Sequence, residues 1–159
     1  MPRNKAFGAD NQQERLATAF WISGFTDGEG CFTVSVINNP RTRFRRQIFP
    51  EFVITQGAKS LHTLQEIKKF FGCGSLVLNK RYDNHNEDLY RYCVRSIKEL
   101  HSKIIPFFER YPLRTSKSND FYSFKKAIEM MMDGKHLTKR GWDAILKLAG
   151  TMNRKKRRF

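Results

Sequence analysis

The chain has 159 residues, enough for a single domain with a substantial core. Lys and Arg number 30 against 15 Asp and Glu, a formal net charge of +15 that directs the protein toward nucleic acid or an anionic membrane surface. No apolar run reaches spanning length and no signal-peptide core follows the N-terminus, so no membrane partner is expected. Cys31, Cys73 and Cys93 are odd in number and lack C-x-x-C spacing, which reads as reduced thiols in an intracellular protein without a zinc site.

Residues 1–10 read as a flexible arm, residues 11–153 as one domain and residues 154–159 as a basic tail. The first periodic segment, 11–28, is a helix with Leu16, Ala17, Phe20, Trp21 and Ile22 at helical spacing, broken by Gly30. A strand follows over 31–38, with Phe32, Val34 and Val36 facing one way and Thr33, Ser35 and Ile37 the other. A basic connection, 41–46, leads to a second strand over 47–56, where Pro50 calls for an edge position or a bulge. Residues 60–71 form an amphipathic helix with Ser60 as N-cap and Gly72 as its stop. Two short strands, 76–78 and 89–95, flank a polar hairpin loop at 81–87. Helices are expected over 97–108, where Pro106 kinks or shortens the element, then over 120–132 and 138–152. The fold class is α+β, an antiparallel sheet with helices on one face and the other face open.

The most informative segment closes the first helix. Gly24 and Gly28 are four apart and stack on one helix face, where a second backbone can approach closely. Glu29 falls near the helix C-terminus, where the macrodipole disfavours a carboxylate unless a cation joins it. An acid that needs a cation, in a strongly basic chain, points to a metal site beside a polyanion. The bland alternative for Asp27 and Glu29 is a solvated helix end.

The run Ile22-Ser23-Gly24-Phe25-Thr26-Asp27-Gly28-Glu29-Gly30, followed by Cys31-Phe32, resembles the signature of LAGLIDADG homing endonucleases without a gap. Phe52-Val53-Ile54-Thr55-Gln56 resembles the end of that family's second strand, and Pro112 to Lys117 its basic segment before a later helix. His136-Leu137-Thr138 and Met152-Asn153 resemble the C-terminal helices of some members, so the likeness covers about residues 15–153. The resemblance implies helix-strand-strand-helix-strand-strand-helix order and a saddle-like sheet facing DNA. It also implies a site-specific Mg²⁺-dependent double-strand endonuclease that leaves 3′ overhangs and is encoded in a mobile intron.

Glu29 is the best metal ligand, because hard oxygen donors suit Mg²⁺, and resemblance adds the Gly28 carbonyl. Asp27 is either a further ligand or a structural group at the helix end. Resemblance assigns Gln56 to ordering water and Lys117 to stabilising phosphate charge, with Ser116 competing for that column and Lys59 an alternative basic group. One motif supplies one such carboxylate, whereas cutting both strands requires two sites. A homodimer meeting through Ser23, Gly24 and Gly28 would supply the second, with about two or three cations between the subunits and a palindromic or pseudo-palindromic target.

Base reading falls to the open sheet face: Thr33, Ser35, Ile37 and Asn39, then Arg45, Gln47, Phe49, Glu51 and Val53, then Ser75, Val77, Asn79, Arg81, Arg91, Cys93 and Arg95. Arg41, Arg43 and the tail would hold phosphates without sequence preference. The four histidines read as surface or packing residues. Expected partners are double-stranded DNA and a second copy of the chain, within a bacterial cytoplasm or nucleoid or an organelle matrix (chloroplast or mitochondrion). The rival readings are an intron maturase bound to intron RNA, a regulator of the same fold that binds without cutting, and a basic ribosome- or RNA-associated protein.

Overall fold

A computed structural model describes residues 6–80 and 87–153. The tail at 154–159, Arg81 and His85 lie outside the described residues. The elements run α1 (Ala6–Glu29), β1 (Gly30–Asn38), β2 (Arg46–Gly57), α2 (Leu61–Phe71), β3 (Ser75–Asn79), β4 (Leu89–Val94), α3 (97–110), α4 (Lys117–Met132) and α5 (Lys139–Thr151). The first helix begins at Ala6, earlier than the helical periodicity suggests, so part of the expected arm is helical.

No loop separates α1 from β1: Glu29 ends the helix and Gly30 begins the strand. A Cβ at Gly30 would lie 2.5 Å from the Thr26 methyl and 2.9 Å from the Thr26 carbonyl oxygen, so only glycine makes this passage. The sheet has strand order β1-β2-β4-β3, with every neighbouring pair antiparallel. Pro50 pairs with Val34 of β1, whereas β4 joins β2 only from Phe52 to Gly57. The proline therefore sits where β2 has a single neighbour, the edge placement its missing N–H calls for.

Packing centres on Phe32, which is fully buried. Its ring lies 5.0 Å from Phe52 of β2, 5.4 Å from Phe108 of α3, and 5.4 and 5.3 Å from Phe121 and Phe124 of α4. One side chain thus joins sheet to two helices, and Ala19 and Ile22 of α1 enter the same core. A smaller cluster of Ile48, Ala127, Met131 and Ile145 lies apart from it, with Trp142 of α5 packed against it.

The expected disturbance at Pro106 takes a particular form. Helix α3 neither stops nor starts there; it widens into a π turn over Leu100–Ile104, and the Ile105 N–H donates to the Leu100 carbonyl five residues back. The wider turn makes room for a residue whose ring crowds the preceding turn and whose nitrogen has no hydrogen to donate.

Truncating Phe32 removes the contact between sheet and helices. Phe32→Ala is expected to cost about 3–5 kcal/mol, lowering the melting temperature by roughly 10 °C or more. A thermal melt followed by circular dichroism checks this, and a shift of only a few degrees would contradict the central role given to this ring.

Candidate active site and nucleic-acid interface

At the end of α1 the two acids have different surroundings. Asp27 accepts hydrogen bonds from the Arg114 N–H at 2.7 Å, the Thr115 N–H at 3.2 Å and the Thr115 hydroxyl at 2.7 Å. Both of its oxygens therefore clasp the segment that leads into α4. Burial opposes its charge, but these bonds and the nearby Lys117 ammonium outweigh burial and hold the carboxyl below its ordinary value of 3.8. Of its two expected roles, this geometry supports the structural one.

Glu29, two residues on, is exposed and makes no hydrogen bond or ion pair among the described residues. Gly28 beside it is also exposed. A free carboxylate next to helix-terminal carbonyls is a donor set of hard oxygens, which fits a divalent cation of the Mg²⁺ or Ca²⁺ type. Among the described residues no group of three His, Cys, Asp or Glu side chains comes together, so the chain offers the cation one free carboxylate rather than a complete cage.

The Lys117 ammonium donates to the Thr26 carbonyl at 2.8 Å and to the Gly30 carbonyl. It sits at the negative end of the helix, where terminal carbonyls lack partners of their own. Gln56 is half-buried, and the register carries it two residues past the Gly30–Ile54 pair, to the α1 end of the sheet. Lys59 is exposed in the turn Ala58–Ser60, its backbone N–H bonded to Glu87 at 2.6 Å.

The expected contact face of α1 needs one correction. Gly24 and Gly28 are exposed, and a Cβ at either would meet nothing within 4 Å. Leu16, Phe20 and Trp21 are exposed at 44%, 56% and 43%, an apolar strip left uncovered by the chain's own fold. Ser23 is not part of that face. It is 5% exposed, and its hydroxyl donates to the Tyr111 carbonyl at 2.9 Å. It belongs to the inward side of the helix with Ala19, Ile22 and Thr26, all buried.

On the sheet, the register pairs Thr33 with Glu51, Ser35 with Phe49, Ile37 with Gln47, Val53 with Cys93, Cys93 with Ser75 and Arg91 with Val77. The described reading candidates on the strands therefore share the open face. They are not equally accessible: Ser35, Ile37, Gln47, Ser75 and Asn79 are exposed, whereas Glu51, Val53 and Cys93 are buried. Arginines lie against two of them. Arg91 bonds to Glu51 at 2.7 Å, and Arg95 bonds to Glu51 at 2.5 Å and approaches the Cys93 sulfur at 3.7 Å. Val53, Cys93 and Glu51 do not present free side chains to a base edge in this structure. In the β1–β2 connection, Arg41, Arg43 and Arg45 are exposed, and Asn39 donates to Gln47 at 2.8 Å.

Two roles were invisible in the sequence. Thr115 completes the Asp27 clasp. Asn153, in a left-handed conformation (φ 49°), donates its side-chain amide to the Phe32 carbonyl at 2.8 Å and its backbone N–H to Asp120 at 3.0 Å. The Thr115–Asp27 contact spans 88 residues of chain and the Asn153–Phe32 contact 121. Asn is a residue that tolerates the left-handed region, which was the only local signal at position 153.

The sequence model of the LAGLIDADG endonuclease family matches residues 22–128. A relative named as probable intron-encoded endonuclease 3 of Neurospora crassa is 32% identical over 94% of this chain, which covers 27% of that protein. The homing endonuclease I-ApeII of Aeropyrum pernix is 31% identical over 68% of the chain and 60% of its own length. The chain thus spans about a quarter of the Neurospora relative's length. Among solved structures, the homing endonuclease I-TnaI superposes with a TM-score of 0.76 at 41% identity, covering 85% of this chain and 87% of the other. I-SmaMI bound to uncleaveable DNA gives 0.79 at 29% identity, covering 86% and 45%. I-SmaMI has also been solved on uncleaved target in the presence of calcium ions, with a TM-score of 0.77 at 34% identity over 85% and 44%.

A structural role for Asp27 has a direct consequence. Asp27→Ala leaves two amides and a hydroxyl without their charged acceptor and is expected to cost about 1–3 kcal/mol. Urea unfolding at pH 7 in the presence of a chelator measures this with no metal contribution. An unchanged midpoint would return Asp27 to the list of candidate ligands.

Proposed function

We propose that this chain, which belongs to the LAGLIDADG endonuclease family, cuts double-stranded DNA at a specific site with the help of divalent cations. The observation that carries the reading is Glu29, an exposed carboxylate without a partner among the described residues, held at the negative end of α1 where the strand of the open sheet face begins. Its neighbours are engaged elsewhere: Asp27 by the loop before α4, Lys117 by the Thr26 and Gly30 carbonyls.

In this reading Glu29 and the Gly28 carbonyl would hold Mg²⁺. When bound, such a cation neutralises charge at phosphorus, activates the attacking water and supports the leaving oxygen. The chain's own groups have separable tasks. Lys117 and Asp27 fix the helix end so that Glu29 is presented in one direction. Gln56 orders water at the neighbouring end of β2. The exposed residues of the sheet face and the arginines of the β1–β2 connection fix the register of the duplex and read it.

A second copy supplies the second cut. The uncovered strip of Leu16, Phe20, Trp21, Gly24 and Gly28 suits an isologous contact, and the similar span of I-TnaI supports a unit of this size. Two Glu29 side chains then serve the two scissile phosphates of a palindromic or pseudo-palindromic site, leaving 3′ overhangs. The naming of relatives as intron-encoded supports an intron-borne gene and an intracellular location.

The test is cleavage of a plasmid library carrying candidate insertion sites. Glu29→Gln is expected to reduce linear product by about a hundredfold or more with Mg²⁺, while DNA binding changes only a few-fold. Binding with no cutting by the unaltered protein under any divalent ion would instead favour a regulator or a splicing factor. For assembly, sedimentation of Gly24→Leu is expected to show a monomer where the parent protein sediments as a dimer. A parent monomer active on a full site would contradict the paired arrangement.

A further inference from the structure

The most unusual group outside the helix end is the Glu51 carboxylate. It sits in the middle of the open face, 9% exposed at the side chain, in a part of the molecule with every reason to be positive. Each of its oxygens takes one guanidinium: Oε1 accepts from Arg91 Nη2 at 2.7 Å, and Oε2 from Arg95 Nε at 2.5 Å. The same bond to Glu51 is the main reason the Arg95 guanidinium holds its proton more firmly than usual. Arg95 is held from a second side by the Phe49 ring, 5.5 Å below its guanidinium carbon. Glu51 is on β2 and both arginines come from the β4 segment, so the bridge crosses the centre of the sheet.

Burying a carboxylate is costly, and a hydrophobic residue could fill the same space at less cost. The two arginines are 32% and 41% exposed at the side chain, and each commits only one nitrogen to Glu51. Arg95 Nη2 also lies 3.7 Å from the Cys93 sulfur, but among the described residues Arg95 Nη1 and the other N–H groups of Arg91 have no acceptor, so both fixed side chains can still donate to an outside group. A guanidinium held in this way loses less freedom when it pairs with the O6 and N7 of guanine.

We propose that Glu51 is a positioning residue for base recognition: it contacts no base, and it pre-aims Arg91 and Arg95 as a paired reader of guanine in the major groove. The inference rests on the reading of this sheet face as the DNA-contacting surface. It replaces the sequence-based expectation that Glu51 itself reads a base. It also assigns the carboxylate a second effect, since one negative charge beneath two positive ones limits indiscriminate attraction to phosphate.

Duplexes enriched by the parent protein from a randomised library, and their single-base variants, provide the probe, read by fluorescence anisotropy. Glu51→Gln keeps the size and removes the charge. The expected result is a loss of discrimination of about tenfold or more confined to one or two base pairs, with affinity for unrelated duplex unchanged or raised. Arg91→Lys and Arg95→Lys should relax the same positions, and combining either with Glu51→Gln should add little. A uniform fall in affinity across all variants, or a lost preference for cytosine that neither lysine variant shares, would overturn the proposal. Failure of the parent protein to enrich any sequence would instead remove the DNA reading beneath it. Circular dichroism melts of each variant identify any that fail to fold. In that case the two lysine variants alone decide, and discordant positions between them count against the paired reader.

Discussion

A helix that runs into a strand with no intervening residue is a severe constraint, and the rest of the molecule is arranged around it. A Cβ at Gly30 would come within 2.9 Å of the Thr26 carbonyl oxygen, so the path is closed to any side chain. Lys117 then reaches across from α4 to the carbonyls of Thr26 and Gly30 on either side of the junction. The cation does two things at once. It satisfies helix-terminal acceptors that have no partner of their own, and it opposes the partial negative charge that would otherwise push a carboxylate away. Asp27 completes the arrangement by fastening the loop that delivers Lys117.

Much of this was legible in the sequence, for identifiable reasons. A strand buries every second residue, so the split of Phe32 and Val34 from Thr33 and Ser35 told which face is open, and the register agrees. Pro50 announced its own edge position. The tight glycine pattern before Cys31 marks the helix end within the sequence itself. What the sequence did not disclose is what depends on long-range reach. Ser23 stands next to Gly24 in the chain, yet lies about a hundred degrees around the helix, where Tyr111 receives it. Alternation placed Glu51, Val53 and Cys93 on the correct face but could not say that Arg91 of β4 and Arg95 just beyond it would bond to Glu51, with Arg95 also against the Cys93 sulfur. The partners of Asp27 lie 87 and 88 residues away, beyond any local pattern.

The surface divides the protein's obligations. One side of α1 enters the aromatic core through Ala19 and Ile22, while the other leaves Phe20 and Trp21 partly in water. A strip of that kind is a liability for an isolated molecule and an asset for one that pairs. On the sheet the balance is electrostatic. A net charge of +15 favours contact with phosphate and disfavours compactness, and the buried carboxylate at Glu51 is the place where the fold offsets its own positive field most directly.

The β1–β2 connection rests on separate ground. Phe44 leans on Trp142 with ring centres 5.2 Å apart, above the small cluster of Ile48, Ala127, Met131 and Ile145 rather than the main aromatic core. Its exposed arginines are thus insulated from the packing that decides whether the chain folds. A lineage carrying this scaffold can explore new residues along that ribbon while Phe32 and its neighbours stay as they are, so retargeting and survival of the fold become separate evolutionary problems.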